Sequence, residues 1–226
     1  MNRIEQAFQD KDKKKLTIYF TAGYPNLKDT TKILKALDEN EVDLIEIGMP
    51  YSDPLADGPT IQESSKQALA NGMNLKMLFE ELANLRKITQ KPVLLMGYSN
   101  NVLQYGVEKF CTQCHEVGID GLILPDMPLP EYKIHFASYF EKYQLKNVFL
   151  VTPKTSEQRI REIDEQKGGF IYMVSSSSTT GGSWQNSPER LDYLKRIQQM
   201  QLETPRMVGF GIQDKTAFDL VNQYTD

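Results

Sequence analysis

The chain has 226 residues, 40% of them hydrophobic and 25% charged, with a formal net charge of −4, which fits one large globular domain or two small ones. No run approaches the roughly 18 apolar residues of a membrane span, the polar start (Asn2, Arg3, Glu5, Gln6) is no secretory signal, and two cysteines cannot build a disulfide framework, so a cytoplasmic protein is expected. Basic residues are scattered, and Lys11-Asp12-Lys13-Lys14-Lys15 is too short for a nucleic-acid footprint and reads as a solvated turn.

Short apolar, β-branched runs alternate along the chain with longer segments of helical period. A strand over 16–22 (LTIYFTA) precedes a helix over 27–40, in which Ile33, Leu34 and Leu37 share one face while Lys32, Lys35, Asp38 and Glu39 take the other. A strand over 43–48 (DLIEIG) leads to helices over 60–72 and 75–89, and a strand over 92–98 (PVLLMGY) to a helix over 106–117. Strands over 120–126, 147–152, 169–175 and 206–211 are followed by helices over 130–143, 156–167, 187–201 and 213–224. Near-continuous apolar strands separated by helices imply a parallel sheet covered on its faces. The expected fold is α/β, a single (β/α)8 barrel domain spanning 1–226. An open doubly wound sheet is the alternative, but the first turn, TAGYPN, lacks its glycine-rich fingerprint. The eighth strand should follow helix 213–224, where the sequence stops. A barrel short of one strand would expose two sheet edges, so the expectation is a natural chain longer than these 226 residues.

In such barrels the chemistry sits at the C-terminal ends of the strands. That rule selects Thr21-Ala22-Gly23, Glu46 with the following Asp53 and Asp57, Tyr98-Ser99-Asn100, Asp126, Tyr172 with the SSSSTTGGS that follows, and Gly209-Phe210-Gly211. Glu46 stands inside an apolar strand. If Ile45 and Ile47 face the helices, Leu44, Glu46 and Gly48 face inward, and a carboxyl there is partly desolvated, which suits a general acid/base. The other reading is a structural glutamate paired with a buried cation. Asp53 and Asp57 lie among turn formers, and each has a plain reading as a turn or cap residue. Asp57, above Glu46, would add a second acid in a wetter setting, a way to separate a proton donor from a charge stabiliser. Gly181, Gly182, Gly209 and Gly211 suit close approach of backbone N–H groups to an anion, or are simple turns. Residues 175–187 read as a lid. Its Trp184 would cover the site, meet a partner or anchor the loop.

Cys111-Thr-Gln-Cys114-His115 matches the CxxCH spacing of haem attachment. It falls within a predicted helix with Phe110, Cys114 and Val117 at core spacing, and no export signal accompanies it, so buried cysteines acting as small hydrophobes are the reading. A zinc site would need more ligands than His135, the one other histidine, supplies.

YFTAGYP (19–25), EIGMPYSDPLADGPTIQ (46–62), MGYSNNVLQYG, GLILPDMP, GFIYMVSSSSTTG and GFGI follow one another along the chain. In their order and spacing they resemble the tryptophan synthase α subunit over essentially the whole length. The resemblance implies a lyase that splits indole-3-glycerol phosphate into indole and glyceraldehyde 3-phosphate. It puts the catalytic carboxylates at Glu46 and Asp57, and substrate-binding positions at Tyr19, Tyr98, Tyr172, Thr180, Gly181 and Gly211, Thr180 being the lid threonine that closes toward Asp57. It implies no cofactor in this subunit and a pyridoxal-phosphate β subunit as partner in an α2β2 hetero-tetramer, with indole passing through a tunnel and the loop around Asp53 and Pro54 facing that partner. Departures occur at Ser178 and Thr179, where Gly-Val is usual, and at Asn101, where proline is common. The family's Gly-Ser phosphate turn on the eighth strand lies beyond Asp226.

The chemistry agrees with these residues. A retro-aldol cleavage through a Schiff base would need a lysine on the inner strands, and a metal aldolase clustered histidines. Neither is present. The indole ring accepts the electrons once its C3 is protonated, which assigns the proton to Glu46 and the indole N–H to Asp57. Another phosphate-binding barrel, such as indole-3-glycerol-phosphate synthase, would need a lysine-rich catalytic set. A non-catalytic partner-activating subunit would not need both acids.

Overall fold

The computed structural model describes residues 1–10, 13–174, 188–209, 211–212 and 214–226. Helix α1 (Arg3–Ala7) precedes β1 (Thr17–Thr21), α2 (Thr30–Asp38) and β2 (Leu44–Gly48). Next come α3 (Pro59–Ala70), α4 (Leu75–Glu81), a 3-10 turn (Leu82–Asn84), α5 (Leu85–Ile88) and β3 (Val93–Met96). Then follow α6 (Ser99–Tyr105), α7 (Val107–Val117), β4 (Gly121–Ile123), α8 (Leu129–His135), α9 (Ala137–Lys142) and β5 (Lys146–Val151). The chain closes with α10 (Glu157–Asp164), β6 (Ile171–Val174), α11 (Pro188–Gln199), β7 (Arg206–Gly209) and α12 (Lys215–Val221).

The seven strands form one parallel sheet in sequence order, curled into a half-barrel. The register aligns Thr17, Tyr19 and Thr21 with Leu44, Glu46 and Gly48, and Glu46 with Leu94. Partners in a parallel ladder share a face, so these positions point inward together. Of these, Leu44 and Leu94 belong to an interior cluster with Met96, Ile123, Val148, Tyr172, Val174 and Met207, and Tyr19 packs against it. The alternate residues, Ile45, Ile47, Val93, Leu95 and Leu122 among them, pack against the helices in a second cluster. Phe149, Val151, Ile171, Met173 and Val208 do so in a third. No helix among the described residues is long and apolar enough to cross a membrane.

The polar N-terminus folds into an element that the periodicity does not announce. The Asn2 side chain accepts from the N–H of Ile4, and Glu5 accepts from the N–H of Asn2, a capping box that starts α1. Asn2 also donates to the carbonyls of Asp120 and Gln144 at 2.8 and 3.0 Å. Ile4, fully buried, faces Gly121 and Gly169, and Phe8 meets Phe170 at 6.0 Å between ring centroids. α1 thus closes the end of the barrel where the strands begin. Beside it Asp120 takes the Arg3 and Arg86 guanidinium groups at 3.1 and 2.5 Å and the N–H of Val93 at 2.8 Å. One carboxylate therefore joins α1, α5, β3 and β4.

Several predicted helices are subdivided. Residues 75–89 break at the 3-10 turn, 130–143 at buried Phe136, and α6 precedes the helix expected over 106–117. Gly106 joins α6 to α7 at φ +92°, a conformation that suits glycine.

Candidate active site

A cavity of about 260 Å³ opens between β1, β7 and α12, and both Glu46 and Asp57 line it. Tyr19, Tyr172, Gly209 and Gly211 share its wall. Glu46 is 1% exposed. Its Oε1 accepts from the Thr17 hydroxyl at 2.9 Å, and its Oε2 from the Tyr172 hydroxyl at 3.3 Å. Burial pushes its pKa up to about 7, against the opposing effect of the two hydroxyl donors. The strand alternation thus places Glu46 where the sequence predicts, and its partners are hydroxyls. Arg206, at the start of β7, is engaged with Asp226.

Asp57 is half-buried and immediately precedes Gly58, the N-cap of α3. The plain reading of Asp57 as a helix cap is not the observed one: Gly58 is the N-cap, with no side-chain cap bond, and the Asp57 Oδ2 accepts from the Tyr98 hydroxyl at 3.1 Å. That hydroxyl accepts in turn from the N–H of Ala56 at 2.9 Å. Tyr98 stacks on Tyr51 with ring centroids 5.0 Å apart, which fixes its ring. Burial raises the Asp57 pKa, and the Tyr98 bond works in the opposite direction. The two acids differ as expected: one dry and held at both oxygens, the other partly solvated.

Two glycines in the inner face make room for tyrosines. A Cβ on Gly48 would lie 2.1 Å from the Tyr19 hydroxyl, and one on Gly209 would lie 1.8 Å from the Tyr172 ring. Gly209, read from sequence as an anion-binding or turn glycine, has this packing reason for being glycine. Gly211 sits at φ +72° at the cavity wall. The Tyr19 hydroxyl lies 3.3 Å from that of Thr21, which lies 2.7 Å from that of Ser64, which donates to the carbonyl of Ile61 at 2.9 Å. Since Ser64 spends its proton on Ile61, the relay runs from Tyr19 outward to α3. Burial, then the charges of Asp57 and Glu46, raise the Tyr19 pKa.

Other sequence candidates lie away from this cavity. Asp126 accepts from the N–H and hydroxyl of Ser99 at 2.8 and 2.7 Å, holding the start of α6. Asp53 is exposed in its turn. Asn101 lies in α6 and reaches the carbonyl of Pro50 at 3.4 Å. Cys111 and Cys114 are buried in α7 with their thiol pKa values raised by burial, as small core residues should be. Among the described residues, no group of three or more His, Cys, Asp or Glu is placed to hold a metal ion. Thr180, Gly181, Gly182, Trp184 and the expected lid lie outside the described residues. Thr17 and Ser64 are contacts that sequence reasoning does not select, although it does select Thr21. The available signal was period-two alternation, which puts the two threonines on the face of Tyr19 and Glu46.

Residues 6–226 match the family model described as tryptophan synthase alpha chain. The chain is 56% identical over 224 residues to the tryptophan synthase alpha chain of Flavobacterium psychrophilum, covering 99% of this chain and 88% of that one. It superposes on the alpha subunit from Legionella pneumophila with a TM-score of 0.89 at 33% identity, covering 100% of this chain and 84% of that one. The tryptophan synthase structure from Mycobacterium tuberculosis gives a TM-score of 0.89 at 29% identity, covering 100% and 86%. The chain belongs to the tryptophan synthase alpha chain family.

Proposed function

We propose that the chain cleaves indole-3-glycerol phosphate to indole and glyceraldehyde 3-phosphate, with Glu46 and Asp57 as its catalytic acids. Family membership makes it a lyase-type enzyme of tryptophan synthesis. The observation that carries the finer reading is the buried Glu46 carboxyl, held by two hydroxyls at the wall of a cavity that Asp57 shares.

Glu46 begins as the neutral acid and gives its proton to indole C3. The resulting carboxylate then takes the proton of the glycerol hydroxyl as the carbon–carbon bond breaks. The bond electrons return to the ring, the aldehyde leaves, and Glu46 ends as it began. Asp57 accepts the indole N–H and stabilises the positive charge of the indolenine. Tyr19, Tyr98 and Tyr172 shape the pocket. Thr180, Gly181 and Gly211 are assigned to the lid and the phosphate. A β subunit carrying pyridoxal phosphate is the proposed partner, in an α2β2 assembly that consumes the indole, and the cytoplasm is the proposed location.

The test is indole release from indole-3-glycerol phosphate, by the protein alone and with a β subunit. Glu46→Gln should lower turnover by at least about 10²-fold in both. Near-normal turnover in a folded Glu46→Gln variant removes the assignment of Glu46.

A further inference from the structure

We propose that Thr17 is a positioning residue for Glu46, its hydroxyl holding the carboxylate form and the orientation of that group. The proposal rests on the reading of Glu46 as the acid that moves the proton. Thr17 stands two residues before Tyr19 on the inward face of β1, in register with Leu44 and so one pleat toward the start of the strands from Glu46. Its hydroxyl reaches Oε1 at 2.9 Å, closer than Tyr172 reaches Oε2 at 3.3 Å.

The interior neighbours on this face include Leu44, Leu94 and Met207. A valine at position 17 would fill the same space, so packing alone does not call for a hydroxyl. A carboxylate has about four lone-pair positions, and the Glu46 oxygens accept from one hydroxyl each, those of Thr17 and Tyr172. Each donor therefore weighs heavily in a dry site, where a hydrogen bond to the charged form is strong.

The titratable groups facing Glu46 are Tyr19 on β1, Tyr172 on β6 and Asp57 after β2, with Lys15 and Asp226 lining the same cavity. Lys15 donates to the carbonyls of Asp10 and Lys13 at 2.9 and 2.6 Å. Asp226 is engaged with Arg206 at 2.9 Å. β3 contributes Leu94, and β7 contributes Met207. None of these groups can donate in place of Thr17 without moving.

Thr17→Val removes the donor and keeps the shape, and Thr17→Ser keeps the donor. In protein with 13C-labelled glutamate carboxyls, the resonance lost in Glu46→Gln identifies Glu46, and its titration midpoint is then read. Thr17→Val should move that midpoint upward by about 1 pH unit, and Thr17→Ser should restore it. Because the reaction starts from the neutral acid, the alkaline limb of kcat/KM should move up with it. An unmoved midpoint in folded Thr17→Val overturns the proposal. Near-normal turnover in Glu46→Gln overturns the reading of Glu46 instead, and the midpoint still reports the Thr17 contact.

Discussion

Glu46 and Asp57 lie eleven positions apart in sequence, yet each is held by hydroxyls from elsewhere in the fold. Thr17 and Tyr172 hold the first, and Tyr98, between β3 and α6, holds the second. The Asp57 charge is the feature the proposed mechanism uses, so Asp57→Asn, which keeps the shape, should lower kcat/KM by about 10²-fold. Tyr98→Phe leaves the charge and removes one hydrogen bond, so a loss of about tenfold is expected. Steady-state indole release by the two variants tests the ordering, and a larger loss in Tyr98→Phe contradicts it. The inward face of Glu46 was legible from alternation alone, because Ile45 and Ile47 define the opposite face. The setting of Asp57 was less so, because an aspartate before Gly-Pro also reads as a cap, and its bond to Tyr98 shows only in three dimensions. The packing demand on Gly209 was hidden for a similar reason: the ring that requires it belongs to Tyr172 on the neighbouring strand.

At the scale of elements, the strands, three to six residues long, were the most legible part, since near-continuous apolar runs leave few alternatives. Helix joints were less so, since φ at Gly106 and the break at Phe136 depend on packing rather than period. α1 was missed although its capping box, Asn2 with Glu5, and its apolar pair Ile4 and Phe8 are written in the sequence. Five residues are too few for a periodic signal. Asp120 makes this end of the barrel a separable unit from the chemistry. Its carboxylate is 4% exposed and satisfies Arg86, Arg3 and the N–H of Val93. Asp120→Ala leaves a largely buried guanidinium without its counter-charge and should cost about 3 kcal/mol. Because Asp120 lies where the strands begin and Glu46 and Asp57 line the cavity above, kcat/KM of the folded fraction should stay within about twofold. Urea unfolding and indole release measured on the same preparation separate the two effects, and an equal loss of both quantities contradicts the division.

For the whole molecule, the buried acid sets stability against function. The Glu46 pKa rises from about 4.5 in the unfolded chain to about 7 in the fold, so the folded state binds the proton more tightly. Below pH 4.5 both states are protonated, and the group costs nothing. As pH rises through the window from about 4.5 to 7, the unfolded chain loses its proton first, and the fold loses stability. Above about 7 the penalty is complete, roughly 3 kcal/mol from the size of the displacement. Glu46→Gln removes the ionisation while keeping the volume and an oxygen acceptor. It should therefore be more stable than the parent chain at pH 8, by up to about 3 kcal/mol, with the gap closing toward pH 5. Asp57, also raised by burial, adds a contribution of the same sign that both proteins share and that cancels in the comparison. Urea unfolding of the two proteins at pH 5 and pH 8 measures the difference directly. A gap that stays constant with pH would mean that Glu46 has the same proton affinity folded and unfolded. A gap that closes toward acid while Glu46→Gln loses turnover would place the cost of burial and the use of the proton on one side chain.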